Sequence, residues 1–295
     1  MAEPIVVGVD GSTPSLQAAV WAAREAELRG APLRLVYATL RWPSYVPLVP
    51  QPARWRADAE AAARAVLDQA MIHARAGRSR LAVSAEIVDG GAEQALIAAA
   101  EGAQLLVVGC RGRGGFAELL LGSVSRCVTA QAPCPVAVVR QPKGTDRGEI
   151  AVGVTGRPDQ EPVLDFAYHE AALRHARLRV VHAWTQPVAT EPGDMLPPVY
   201  DVDAIGAEEA RLLAESIAGR RERFPDVTLT EHVVREHPAK ALIDVSRETD
   251  LVVIGARTGL SAWLGLGSTA HAVIHHAYAP VVVVRPRSVD VSPTA

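Results

Sequence analysis

The sequence predicts two tandem α/β domains, each a five-stranded parallel sheet covered by helices on both faces. Three observations predict this. Short β-branched runs alternate with long alanine-rich stretches, the pattern of strand–helix–strand crossovers on a parallel sheet. The whole pattern occurs twice, at a nearly constant separation of 145 positions. The 295 residues suffice for two domains of ordinary size, each with its own core.

The repeat is legible in five landmarks. Ile5-Val-Val-Gly-Val9 returns as Ile150-Ala-Val-Gly-Val154, and Leu33-Arg-Leu-Val-Tyr-Ala38 as Leu178-Arg-Val-Val-His-Ala183. Gly122-Ser123 returns as Gly267-Ser268, and Pro135 to Val139 as Pro280 to Val284. Only Leu105 to Gly109, against Leu251 to Gly255, slips to an offset of 146. The boundary falls in Gln141 to Gly148, a polar Pro/Gly/Lys/Asp stretch, giving domains over residues 1–142 and 148–288.

In the first copy the predicted strands are Ile5 to Val9, Leu33 to Ala38, Ala82 to Val88, Leu105 to Val108 and Val136 to Val139. The first and fourth are continuous apolar runs, as expected of central strands. Thr13 is the expected N-cap of the first helix, with Pro14 at its first position and Gly30 after its last turn. Leu16, Val20, Ala23 and Leu28 are its expected packing face. Further helices are expected over Arg56 to Arg75, Ala92 to Ala100 and Ser123 to Gln131. A Pro- and Trp-rich loop, Thr39 to Trp55, has a counterpart from Thr185 to Gly206, and its length suggests a lid or a dimer contact. The last strands, Val136 to Val139 and Val281 to Val284, are apolar enough to pair antiparallel with each other and so cover an open edge.

Composition narrows the function. With 49% apolar and 21% charged residues and a net charge of −3, neither a disordered chain nor a polyanion-binding surface is indicated, so no nucleic-acid partner is expected. No apolar stretch approaches the roughly 20 residues of a membrane span. The start, Met1-Ala-Glu-Pro4, lacks a signal peptide's basic flank, and the expectation is a cytoplasmic protein without a membrane partner. Cys110, Cys127 and Cys134 all lie in the first copy and do not suggest a disulfide framework.

The chemistry concentrates in the run from Gly109 to Ser125. Glycines 109, 112, 114 and 115 let the backbone approach a ligand and turn successive amides towards it, an anion cradle. Gly122 and Ser123, with Val124 and Ser125, then offer a helix N-terminus, while Arg111 and Arg113 add positive charge and Cys110 lies within the loop. Ligands of open α/β sheets bind beyond the carboxyl ends of the strands where the winding reverses, here between strands one and four. Asp10 ends the first strand. A carboxylate there repels phosphate and suits the donor groups of a nucleoside.

Val-Gly-Val-Asp10-Gly-Ser, the spacing Gly109-x-x-Gly112, nine residues, Gly122-Ser123, and the closing Cys134-Pro-Val-Ala-Val-Val together resemble the universal stress protein family, over both halves. The resemblance implies two Rossmann-like domains of strand order 3-2-1-4-5, ATP binding in the glycine-rich members, usually with Mg²⁺, and pairing of domains through their last strands. By position it implies that Gly8 and Asp10 line the nucleoside side. Gly109, Cys110, Arg111, Gly112, Arg113, Gly114 and Gly115 would wrap ribose and phosphates, and Ser123, Val124 and Ser125 would bind phosphates. It also suggests a homodimer of tandem chains.

The second copy departs from the pattern. Thr155 replaces Asp10, Thr258 replaces Gly112, and the stretch from Gly255 to Gly267 is one residue shorter than Gly109 to Gly122. A β-branched residue resists a positive φ and obstructs close approach. Gly153, Gly255, Gly267, Ser268 and Thr269 therefore form at most a degenerate site, and one strong site per chain is expected. Gly112 to Ala117 also fits a loose GxGxxA pattern, but it follows a fourth strand rather than a first, and the P-loop consensus is absent. His271, His275 and His276 have metal-compatible helical spacing without an evident further ligand. Cys110 is a candidate redox thiol beside arginine, and Ser12 reads as a helix-start residue, not a nucleophile. The expected function is an ATP-binding, stress-responsive regulator with slow hydrolysis at most. A genuine ATPase or phosphotransferase and a nucleotide-free interaction module are the alternatives.

Overall fold

Ile5, Val6 and Val7 are consecutive in one strand, so they point to opposite faces of the sheet, and all three are fully buried. The same holds for Leu105, Leu106 and Val107. Both faces are therefore covered, which is what a continuous apolar run demands. The computed structural model describes residues 2–39, 54–112, 121–140, 146–156, 160–185, 201–256 and 266–285. It divides into unit 1, residues 1–143 with 279–283, and unit 2, residues 144–278 with 284–295.

Unit 1 runs β1 (Ile5–Gly8), α1 (Thr13–Arg29), β2 (Leu33–Thr39), α2 (Trp55–Arg75), β3 (Val83–Asp89), α3 (Ala92–Ala99), β4 (Leu105–Gly109), α4 (Ser123–Gln131) and β5 (Val136–Val139). The strands are parallel in the order 3-2-1-4-5. Helices α1 and α2 pack against each other, as do α3 and α4. The winding reverses between β1 and β4, whose registered pairs include Val7 with Val107. The β5 edge is closed by β10 (Val281–Val284), antiparallel, with Val281 opposite Val138 and Val283 opposite Val136.

Unit 2 repeats the plan with β6 (Glu149–Val154), α5 (Glu161–Arg174), β7 (Arg177–Trp184), α6 (Val202–Ile217), the short α7 (Arg220–Arg223), β8 (Leu229–Arg235), α8 (Pro238–Val245), β9 (Leu251–Gly255) and α9 (Ser268–His276). Its parallel pairings give β8-β7-β6-β9, the same 3-2-1-4 sequence. Residues 40–53 and 186–200 of the two long loops and 141–145 of the linker lie outside the described residues. Among the described residues no helix is long and apolar enough to cross a membrane.

Two details of α1 differ from expectation. Its cap is Ser12, extended and accepting from the Ser15 amide, with Thr13 already helical. Its buried residues are Ser15, Ala18, Ala19, Ala22, Ala23, Glu25 and Ala26, whereas Leu28 is 43% exposed and Leu16 and Val20 are half-buried. Alanine carries only a methyl group, so this face brings the helix backbone close to the sheet, and the larger side chains fall on its flanks. The C-cap Gly30 is left-handed, as expected, with φ 59°.

Candidate functional site

The close approach of α1 fixes the site. A Cβ built on Gly109, at the end of β4, would lie 2.7 Å from the Pro14 carbonyl carbon and 3.0 Å from the Ser15 nitrogen. Glycine at 109 is thus required by backbone packing against the first turn of α1. Asp10, just past β1, is held from two sides. Its Oδ1 accepts from the Ser12 hydroxyl at 2.6 Å and the Ser12 amide at 3.0 Å, and its own amide donates to Ser15 Oγ at 3.2 Å. Ser12 is the helix cap and a positioner of this carboxylate.

The second carboxylate oxygen fits the glycine loop. A Cβ on Gly112 would lie 2.5 Å from Asp10 Oδ2, so a side chain there would displace the carboxylate from its present position. The Arg111 carbonyl lies 3.5 Å from Ser12 Oγ, and the Gly122 amide donates to the Cys110 carbonyl at 2.9 Å. Residues 110–112 therefore lie between the end of β1 and the start of α4. Helix α4 begins after Gly122 with no side-chain cap, leaving the amides of its first turn, Ser123 to Ser125, without the usual side-chain acceptor. Carboxylate at one end and helix N-terminus at the other give the site opposite polarities.

Two residues serve packing more directly than ligand contact. The Ser125 hydroxyl is buried and donates to the Gly109 carbonyl at 2.7 Å, so it offers a ligand only its amide. Gly8 leaves room for Leu96, whose Cδ1 would stand 2.7 Å from an added Cβ. Arg113, Gly114 and Gly115 lie outside the described residues. Cys110 is half-buried, whereas burial pushes the Cys134 thiol up to about 11, which disfavours its thiolate.

The Universal stress protein family profile matches residues 1–140 and again 147–285. The chain belongs to the universal stress protein family. Two relatives from Mycobacterium tuberculosis illustrate the closeness. Universal stress protein Rv2005c is 36% identical over 291 residues, covering 95% of this chain and 96% of that protein. Universal stress protein Rv2623 is 37% identical over 298 residues, with the same coverages. A crystal structure of a universal stress protein from Archaeoglobus fulgidus, 18% identical, superposes over 97% of each chain with a TM-score of 0.70 and so shares the fold.

The second half of this universal stress protein keeps the scaffold and alters the site. Gly153 still faces Leu242, as Gly8 faces Leu96. Helix α5 is described from Glu161, after residues 157–159, which lie outside the described residues. Among the described residues, a Cβ on Gly255 would meet Val163 Cγ2 at 3.1 Å; residue 159, the counterpart of Pro14, lies outside the described residues. Thr155 donates its amide to Gln160 at 2.5 Å and supplies no carboxylate. Thr258, at the position of Gly112, lies outside the described residues. Gly267 caps α9 with φ 81°, whereas Gly122 has φ −74°, so the Ser268 and Thr269 amides leave a differently shaped turn. Ala270 replaces Ser125.

Sequence reasoning passed over three residues here. In β7, beside the end of β6, the buried His182 contacts the Val154 carbonyl through Nδ1 at 3.1 Å and Glu209 of α6 through Nε2 at 2.6 Å, where unit 1 has Tyr37. The landmark pair Tyr37 and His182 was visible in the repeat, but the partner Glu209 is distant in sequence. Arg140 follows β5 and is half-buried near Cys110 and Arg111. His271 and His275 do stack, with ring centroids 4.2 Å apart, yet among the described residues no three His, Cys, Asp or Glu side chains converge on a metal position.

Proposed function

We propose that this chain is an adenine-nucleotide-binding regulator whose single strong site lies in unit 1, with ATP as ligand and nucleotide occupancy as its output. The observation that carries the reading is the fit of Gly112 over Asp10 Oδ2, 2.5 Å from where a Cβ would stand, beside the uncapped start of α4. The carboxylate accepts hydrogen bonds from the ribose or base, and the loop amides and helix N-terminus receive the phosphates. Mg²⁺ typically keeps several waters and binds through substrate phosphates with one or two carboxylates. That habit fits a site where, among the described residues, no cluster of three ligating side chains exists. Such an ion would arrive with the phosphates, neutralising their charge.

Asp10→Asn tests the reading. The amide keeps an acceptor for Ser12 but removes the charge, and hydrogen bonds to charged groups contribute about 1.5–3 kcal/mol. ATP affinity is expected to fall roughly 10–100-fold by equilibrium titration, with the thermal midpoint little changed. Unaltered affinity would remove Asp10 from the site, and a wild-type protein that ignores ATP would favour the interaction-module alternative.

A further inference from the structure

His182 joins three elements of unit 2. It stands in β7 opposite Val154 of β6 in register, and its Nδ1 lies 3.1 Å from the Val154 carbonyl. A carbonyl has no proton to give, so Nδ1 is the donor. Nε2 lies 2.6 Å from Oε2 of Glu209 on α6, a contact that also needs a proton between its two atoms. Two acceptors therefore face one ring. The arrangement is complete only while the pair holds one proton more than a neutral imidazole and a carboxylate carry. Loss of that proton to solvent leaves the Nε2 lone pair against a carboxylate oxygen, and the contact turns repulsive. His182 is only 5% exposed and has little water to turn to, whereas the Glu209 side chain, 26% exposed, has solvent within reach. Glu209, and the helix that carries it, is the side that gives way.

The first half is built differently at the same place. Gly11 packs on Val66 of α2 and Gly156 on Leu212 of α6, so Glu209, three residues before Leu212, takes the place of Ala63, three before Val66. Tyr37 and the buried Ala63 of unit 1 thus become two ionisable groups in unit 2. We infer that His182 and Glu209 form a proton-operated latch, which holds α6 to the carboxyl ends of β6 and β7 while the shared proton is present and releases it as pH rises. The charged groups on the neighbouring elements have partners of their own. On β8, where Val233 is opposite His182, Glu231 is bonded to Arg221, and Arg235 lies over the Trp184 ring. On α6, Glu208 and Glu215 flank Arg211. On α5, Glu170 pairs with Arg174, Asp165 with Arg220, and His169 rests edge-on against Phe224. Helix α8 covers the opposite face of the sheet, where Leu242 meets Gly153, and His232 alternates with Val233 and so points to that face as well. The sign follows from the proton. The stabilisation is complete in mild acid and declines towards alkaline pH. Because Leu212 packs on Gly156, release of α6 reshapes the counterpart in unit 2 of the segment that carries Asp10 in unit 1.

The test follows amide hydrogen exchange of α6 in the full chain from about pH 6 to about pH 9, a range that begins on the acid side of ordinary histidine. Protection factors are compared, which removes the intrinsic acceleration of exchange by base, and α1, which contains no histidine, is the control. In wild type, α6 protection is expected to fall roughly 10–100-fold as pH rises, the equivalent of one hydrogen bond to a charged group. The α1 amides should not follow. Glu209→Gln should keep α6 protected and independent of pH, because a carboxamide donates to a neutral Nε2. The double variant His182→Tyr with Glu209→Ala, which installs the residues of unit 1, should also be independent of pH, and it decides the matter even where the amide alone fails to hold the helix. Flat α6 protection in wild type would overturn the inference. So would a fall in the double variant, or in Glu209→Gln, equal to that of wild type, since the responding proton would then lie elsewhere.

Discussion

Gly109→Ala is expected to cost about 1–3 kcal/mol of stability, the usual range for overpacking a filled interior, and to lower ATP affinity at least tenfold. Both effects share one cause. The new methyl would stand 2.7 Å and 2.8 Å from the Pro14 carbonyl atoms and 3.0 Å from the Ser15 nitrogen, and backbone in a helix's first turn cannot rotate away. The helix must move outward, taking Ser12 and hence Asp10 with it. Gly255→Ala provides the internal comparison. There the described neighbour is Val163 Cγ2 at 3.1 Å, and ATP affinity is expected to stay unchanged because Gly255 lies in the other unit. Denaturant midpoints and ATP titrations of the two variants decide it. Equal effects would mean that helix placement in unit 1 does not govern the site.

Arg179→Met is expected to produce the largest loss of stability, about 3–5 kcal/mol, the range for breaking a buried ion pair from one side. Glu149, only 4% exposed, opens β6 and receives both Arg179 Nε at 3.0 Å and Nη2 at 2.9 Å. Arg179 reaches a third carboxylate oxygen, on Glu248, at 3.1 Å, and its hydrogen bond to Glu149 is the main influence holding its pKa above the ordinary arginine value. Arg177 alone, 3.7 Å from Glu149 and mostly exposed, cannot replace this arrangement. Adding Glu149→Met to Arg179→Met should recover much of the loss, since apolar replacement of both partners removes the stranded charge. Urea unfolding checks both variants. A single-variant loss below about 1 kcal/mol would show that solvent screens the pair as it does at a surface.

The fold was legible because its signals are periodic and local. Val136–Val139 and Ser123–Gln131 were bounded correctly from apolar runs and from the Gly-Ser helix start. The α1 cap moved one residue because Ser12 and Thr13 are both good caps, and the choice is made by Asp10, which Ser12 also serves. The packing face of α1 was misjudged because side-chain size suggests Leu16 and Val20. Proximity to β4 selects alanines instead, a tertiary demand that overrides periodicity. In the site, glycine spacing located the loop, but only the structure shows that Gly112 lies against the Asp10 carboxylate. The bond from the Ser125 hydroxyl to the Gly109 carbonyl spans 16 positions, and no local pattern announces it.

The most direct measurement is the number of ATP sites per chain, read by calorimetric titration of Mg²⁺ and ATP into nucleotide-stripped wild-type protein. One site per chain is expected, since only unit 1 pairs an Asp10-like carboxylate with an open glycine. Two sites of equal affinity would contradict the division of labour between the halves.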